Sequence, residues 1–206
     1  MAIQLHSWPQ SSGTRISWAL EELGVPYEFV HVDQKTQAHR APAFLALNPY
    51  GKVPALSDDG VSFFESGAIL LHLGHKYGVD RKLWPEGKGQ ARADALSWTV
   101  WGMTELGAHL LQYLYHGLDS PFSFKPEDRS KAAAEYARSQ FVRCLDTLEA
   151  RLDGREHLLG TFSLVDIACA GWLSFGTMFG ASPDGHPRVA AWLKRCTQRP
   201  AFVRAR

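Results

Sequence analysis

A small α/β domain followed by an all-helical one is the fold this chain predicts. Three observations carry that expectation. Over roughly the first 77 residues, segments with strand and helix periodicity follow one another in the order β-α-β-α-β-β-α. Beyond about residue 90 no segment has convincing strand character. Between the two, residues 78–90 break periodicity with Gly78, Pro85, Gly87 and Gly89 and read as a linker. The expected domains are therefore residues 1–77 and 91–206.

Ile3-Gln4-Leu5-His6 alternates apolar and polar residues and reads as a short strand. Ser7 to Gly13 is loop chemistry. Ile16, Ala19, Leu20 and Leu23 then fall at i, i+3, i+4 and i+7, which predicts a helix over Thr14 to Leu23. Gly24 ends it and Pro26 prevents its continuation. Tyr27 to Val32 is rich in β-branched and aromatic residues and reads as a second strand, so the first three elements form a βαβ unit with a parallel pair. A short helical stretch around residues 43–47 follows. Val53 to Leu56 and Val61 to Phe64 read as strands joined by Asp59-Gly60, a two-residue hairpin signal. A helix from about Ser66 to Lys76 closes the domain.

The stretch from Asn48 to Gly67 concentrates the chemistry. Pro54 cannot donate a ladder hydrogen bond, so it belongs at a strand start, an edge or a bulge. Backbone left unpaired there is available to a peptide. At the other end of the hairpin, Glu65 and Ser66 open a helix. A carboxylate, a hydroxyl and free helix N–H groups meet there, which suits an amino-acid-like group carrying its own carboxylate. The two halves together predict a peptide-binding edge.

The second half reads as helices over residues 91–115, 127–152, 163 onward and 187–195. The first carries Trp98 and Trp101 and is apolar around much of its girth, so it must bury more than one face. Phe141, Leu145, Leu148 and Leu152 mark one stripe of the second. Ser163-Leu164-Val165-Asp166 is a capping-box pattern at the start of the third.

Composition narrows the function. The 206 residues are 45% hydrophobic, and 22 Lys+Arg against 21 Asp+Glu leave a net charge of +1. That balance provides no electrostatic footprint for nucleic acid or an anionic membrane. The N-terminus lacks the basic region and apolar core of a signal peptide, and the densest apolar run, Ala68 to Leu71, is far too short to span a bilayer. Cys144, Cys169 and Cys196 are too far apart for a metal or redox pair and are expected to be buried thiols. His72 and His75 lie three apart with no acidic or thiol partner nearby in sequence and are expected at a surface or interface. The chain thus reads as cytoplasmic and free of metal.

Taken together, Asn48-Pro49-Tyr50-Gly51-Lys52-Val53-Pro54-Ala55-Leu56, Glu65-Ser66 with Ala68-Ile69, Trp84-Pro85, Ser163 with Asp166, and Arg199-Pro200-Ala201-Phe202 resemble, in this order, the signatures of the soluble, cytosolic-type glutathione transferases, with a bacterial-like character. The resemblance spans essentially the whole chain and implies a thioredoxin-like first domain. It also implies a cis bond between Val53 and Pro54, with the Val53 backbone pairing with the cysteinyl part of glutathione. Glu65 and Ser66 would hold the γ-glutamyl end, and Lys52 would stand near the peptide. Glutathione would be a co-substrate, with no tightly bound cofactor, and the enzyme a cytoplasmic homodimer serving detoxification. A second substrate, a small hydrophobic electrophile, would lie between the domains against the long helix, lined by Trp101, Met103, Leu106 and Tyr113.

The thiol needs a partner. A free thiol has a pKa near 8.5, and lowering it to about 7 takes about 2 kcal/mol. One hydrogen bond to an ionised sulfur supplies about 1.5–3 kcal/mol and a helix N-terminus about 0.3–1 kcal/mol. A single hydroxyl before the first helix therefore suffices, acting as a donor rather than a base. Ser11 takes that role if one deletion aligns the chain with serine-type members. Without a gap, Trp8-Pro9-Gln10-Ser11-Ser12-Gly13 falls on the Trp-Pro-Thr-x-Asn-Gly of a bacterial subgroup, with Ser12 at the asparagine and Gln10 at the threonine. Either serine can also serve only as a helix cap. No cysteine stands here, which disfavours exchange through a protein thiol. The resemblance leaves three activities: transfer to an electrophile, glutathione-dependent peroxide or disulfide reduction, and a non-catalytic scaffold.

Overall fold

A computed structural model describes residues 3–206; Met1 and Ala2, which open the first expected domain, lie outside the described residues. The chain forms two compact units, one reaching to Glu86 and including Arg199–Arg206, the other Gly87–Gln198.

The first unit is built on a four-stranded sheet. Strands β1 (Ile3–Ser7), β2 (Tyr27–His31), β3 (Ala55–Asp58) and β4 (Val61–Phe64) lie in the order β2-β1-β3-β4. β1 runs parallel to β2 and antiparallel to β3, and β3 pairs antiparallel with β4. This is the thioredoxin-like arrangement expected. Helix α1 (Thr14–Leu23) has the expected bounds, and Gly24 closes it at φ 59°, a left-handed conformation that costs glycine little. Helices α2 (Pro42–Leu45) and α3 (Ser66–Leu73) complete the module. Leu5 and Leu56 from the sheet, Ile16 and Leu20 from α1, and Ile69 and Leu73 from α3 are fully buried and form the core. Each such side chain contributes about 1.5–3 kcal/mol by leaving water.

Two details differ from expectation. The third strand begins at Ala55 rather than Val53, because the ladder to β1 starts with His6 opposite Ala55, after the proline that has no N–H to give. The chain also ends in a short helix, Pro200–Arg204, which no sequence signal announced. It packs on α1 through Phe202, edge-on to Trp18 at 4.8 Å, and Arg199 donates twice to Glu22 at 2.6 Å.

His72, expected at a surface or interface, has a partner that is distant in sequence. It lies 2.7 Å from the buried carboxylate of Asp58, fourteen positions earlier, while its ring stacks on Phe63. Lys76 and Tyr77, in the π turn Gly74–Gly78 that extends α3, donate to the same carboxylate at 2.9 Å. Burial alone would raise the Asp58 pKa, but the hydrogen bonds from Lys76, His72 and Tyr77 more than offset it and hold it below 3.8. The stability this provides is complete above the unfolded value near 3.8 and is lost as pH falls through the lower folded value. Denaturant titrations in increasing acid should therefore show wild type losing stability more steeply than Asp58→Asn. Parallel slopes for the two proteins would contradict the assignment.

The second unit is helical, and an isolated bridge between Leu159 and Thr161 is the only β pairing among its described residues. Its helices are α4 (Gln90–Trp101), α5 (Ala108–Gly117), α6 (Lys131–Arg151), α7 (Leu164–Thr177) and α8 (Pro187–Thr197). The expected long first helix is continuous but widens into a π turn over Gly102–Gly107. There α7 approaches so closely that a Cβ on Gly107 would stand 2.3 Å from the Trp172 ring. α6 starts at Lys131, later than expected, because Ser130 caps it by accepting from Ala133 N at 3.2 Å. The capping pattern before α7 is present, with Ser163 N donating to Asp166 at 2.9 Å. Asp166 is fully buried and also accepts from Leu158 N at 3.0 Å and Trp192 Nε1 at 2.8 Å. All three cysteines are buried thiols outside any disulfide, and burial, reinforced by Glu105, pushes the Cys144 thiol up to about 11. No described helix is long and apolar enough to cross a membrane.

Candidate functional site

The turn from β1 into α1 brings the two candidate serines to the start of a helix with different commitments. Ser11 Oγ donates to the Trp8 carbonyl at 2.7 Å, accepts from Gly13 N at 3.1 Å and lies 2.9 Å from Ser7 Oγ. It is consumed in holding its own loop. Gly13 is required there, since a Cβ would come within 1.9 Å of Ser7 Oγ. Ser12 is half-buried, and its oxygen accepts from Arg15 Nη2 at 3.3 Å. Among the described residues nothing accepts its proton, so that proton can be donated outward.

Arg15 connects this turn to the far end of the predicted edge. It is buried, one turn into α1, and its Nη1 also reaches Ser66 Oγ at 3.4 Å. A single guanidinium thus touches the Ser12 hydroxyl before α1 and the hydroxyl at the first residue of α3. Glu65 precedes Ser66 at φ 67° and ψ 118°, its side chain exposed. A non-glycine residue there stores about 1–3 kcal/mol of backbone strain. That conformation sets Glu65 at the mouth of a helix N-terminus, whose N–H groups favour an anionic guest.

Between them lies the segment that presents the backbone. The Val53–Pro54 bond is cis, as the resemblance implies. Asn48, almost fully buried, braces the approach by donating to the Lys52 carbonyl and accepting from Tyr50 N at 3.0 Å. Val53 is half-buried and, like Trp8, packs against the Val32–Phe44–Ala55 cluster. Lys52 is exposed, with its ammonium 4.6 Å from the Tyr50 ring centre. Arg40 reaches the Tyr50 carbonyl at 3.4 Å, and a Cβ on Gly51 would stand 2.9 Å from it. Two cations therefore flank the turn that leads into Val53.

Ser11, Ser12, Lys52, Val53, Pro54, Glu65 and Ser66 all belong to the first unit. Of the residues expected to line a second-substrate pocket, Trp101, Met103 and Tyr113 keep some exposed surface in the second unit, whereas Leu106 has none. It points into the packed interior, as a leucine on the inner side of the π turn must, and is not part of an accessible lining. His157, Asp166 and Cys196 bring ligand atoms within 4.8 Å of one another. Each Asp166 oxygen already accepts two donors, from Leu158 and Trp192 on one side and twice from Ser163 on the other. That trio is occupied as structure.

Two family models match the chain: the N-terminal domain of glutathione S-transferase over residues 1–75 and its C-terminal domain over residues 111–200. The disulfide-bond oxidoreductase YfcG of Escherichia coli (strain K12) is 32% identical, with 98% of this chain and 94% of that protein covered. The chain belongs to the glutathione S-transferase family. A glutathione S-transferase of Silene vulgaris is 30% identical over 98% of this chain and 95% of its own length. A crystal structure of a Burkholderia graminis glutathione transferase, with two glutathione molecules bound per subunit, superposes with a TM-score of 0.86 at 32% identity, covering 99% of this chain and 87% of that one.

As a glutathione S-transferase, the chain contains site features that its sequence did not announce. No sequence motif singled out Arg15, and its reach to Ser66, fifty-one residues on, is a product of the fold. Arg40 carried no local signal at all.

Proposed function

We propose that this glutathione S-transferase binds glutathione along its first unit and presents the thiolate to a hydrophobic electrophile. In this reading the Val53 backbone pairs with the cysteinyl residue. Glu65 takes the γ-glutamyl amine, and Ser66 with the α3 N-terminus takes its carboxylate. Arg40 and Lys52 face the glycyl carboxylate. Ser12 donates its free proton to the sulfur, with the Arg15 guanidinium on its oxygen making it a better donor. Ser11 shapes the loop. The observation that carries the reading is the one guanidinium shared by Ser12 and Ser66, which supports a peptide lying with its thiol at one and its carboxylate at the other. Trp101, Met103 and Tyr113 remain the proposed lining for the electrophile. The enzyme acts as a cytoplasmic homodimer with glutathione as co-substrate.

With an aryl halide, the thiolate forms a sulfur–carbon bond, the halide leaves, and the thiol proton has already passed to solvent. Activation and proximity supply the rate. A second reading, glutathione-dependent reduction of disulfides, has one specific support: the similarity to YfcG, in the chain whose Trp8-Pro9 loop also resembles that bacterial pattern. A panel of aryl halides, organic peroxides and mixed disulfides separates the two. The first reading expects turnover of the halides; turnover of mixed disulfides alone supports the second, and silence across the panel leaves a binding protein.

A further inference from the structure

Helix α1 carries its charges at the ends where a helix dipole disfavours them. Arg15 stands in its first turn and Glu21 and Glu22 in its last, the reverse of the arrangement that steadies an isolated helix. Gly13, which precedes it, offers no side-chain cap. What its last turn lacks is supplied from far along the chain, by the terminal residues Arg199–Arg206, which belong to the same compact unit.

Arg15, Trp18 and Glu22 fall at i, i+3 and i+7 and so share one face of α1. Two turns from Arg15, the Glu22 carboxylate is held by three donors. Arg199 Nε and Nη2 reach its two oxygens at 2.6 Å each, and Trp18 Nε1 reaches Oε1 at 3.1 Å. The Glu22 side chain is 7% exposed, so this forked ion pair is largely withdrawn from water. Phe202 lies edge-on to Trp18 at 4.8 Å, and Arg204 Nε reaches Glu21 at 2.6 Å on the more exposed flank. A fork on two oxygens, with a ring packed beside it, resists rotation of the helix about its own axis in a way one point contact does not. That same roll aims Arg15 at Ser12 and Ser66. Those contacts, at 3.3 and 3.4 Å, stand near the limit of a hydrogen bond and leave little room for slack.

We propose that Arg199 is a positioning residue for the thiol site: through Glu22 it fixes the roll of α1, and with it the Arg15 guanidinium that bridges Ser12 and Ser66. This role rests on Ser12 being the donor to the sulfur in the proposed glutathione site. Arg199→Gln should raise the pH at which bound glutathione ionises by about 0.5–1 unit, part of the shift expected from losing the Ser12 hydroxyl itself. Arg199→Lys keeps a cation for Glu22 without the fork, so it should fold and shift the ionisation in the same direction by less; it carries the test if the glutamine variant does not fold. Ile167→Val, a core truncation in α7, lowers stability without touching α1 and should leave the ionisation unchanged. Hydrogen exchange without glutathione measures the strap itself: in Arg199→Gln the amides of residues 18–23 should exchange about tenfold faster, and those of α3 should not. With glutathione binding intact, an unmoved ionisation in both Arg199 variants, or an equal shift in Ile167→Val, would overturn the proposal. Unchanged exchange in α1 would overturn it whether or not glutathione binds. A wild-type protein that binds no glutathione would instead sink the reading of the site, and this role with it.

Discussion

Glu65→Ala and Ser66→Ala are each expected to abolish retention on immobilised glutathione. Both residues stand at the start of α3, where the proposed γ-glutamyl group brings one cation and one anion into a partly desolvated corner. A hydrogen bond to a charged group is worth about 1.5–3 kcal/mol, so each truncation should weaken binding roughly tenfold to more than a hundredfold. Ser66→Ala has the larger reach because it also removes an acceptor from the buried Arg15. Neither change opens a sizeable cavity, and circular dichroism should report an intact fold in both. Unchanged retention in the two variants would remove this corner from the site.

The second large effect concerns the thiol. Ser12→Ala is expected to raise the pH at which bound glutathione ionises by about 1–2 units, the equivalent of one hydrogen bond to an anion at 1.36 kcal/mol per unit. The sign follows from the donor role: a bond made only to the thiolate favours it, and its loss returns the thiol toward its free value. Thiolate ultraviolet absorbance of the bound complex reads the shift directly. Ser11→Ala should move it less, because that hydroxyl gives its proton to the Trp8 carbonyl at 2.7 Å. A large shift in the Ser11 variant with none in the Ser12 variant would reverse the assignment.

The contrast between these serines shows where sequence reading stops. Local signals were sufficient for α1, whose bounds Thr14–Leu23 follow from apolar spacing and a terminal glycine, and for β4, set by the hairpin turn. They were sufficient for the cis Val53–Pro54 bond once the order of motifs was recognised. They could not rank Ser11 against Ser12, because rank depends on which oxygen the Trp8 carbonyl and the Arg15 guanidinium happen to reach. The same limit explains His72, whose partner Asp58 is adjacent only after the hairpin folds back. It explains the π turn as well: Gly102 and Gly107 read as ordinary helix glycines until the approach of Cys169 to the first and of Trp172 to the second shows why no side chain fits. Contacts distant in sequence carry no periodic signature.

The Asp58 cluster has a consequence for recognition. Asp58 ends β3, and its partners His72, Lys76 and Tyr77 lie at the far end of α3, so their bonds close a ring of chain whose midpoint is Glu65-Ser66. The strained backbone at Glu65 is thus clasped from both sides by a group that titrates. Protonating Asp58 removes the charge that these three partners share and so weakens the closure of that ring. At the proposed glutathione corner, affinity is then expected to decline with acid along with the stability that this distant carboxylate supplies.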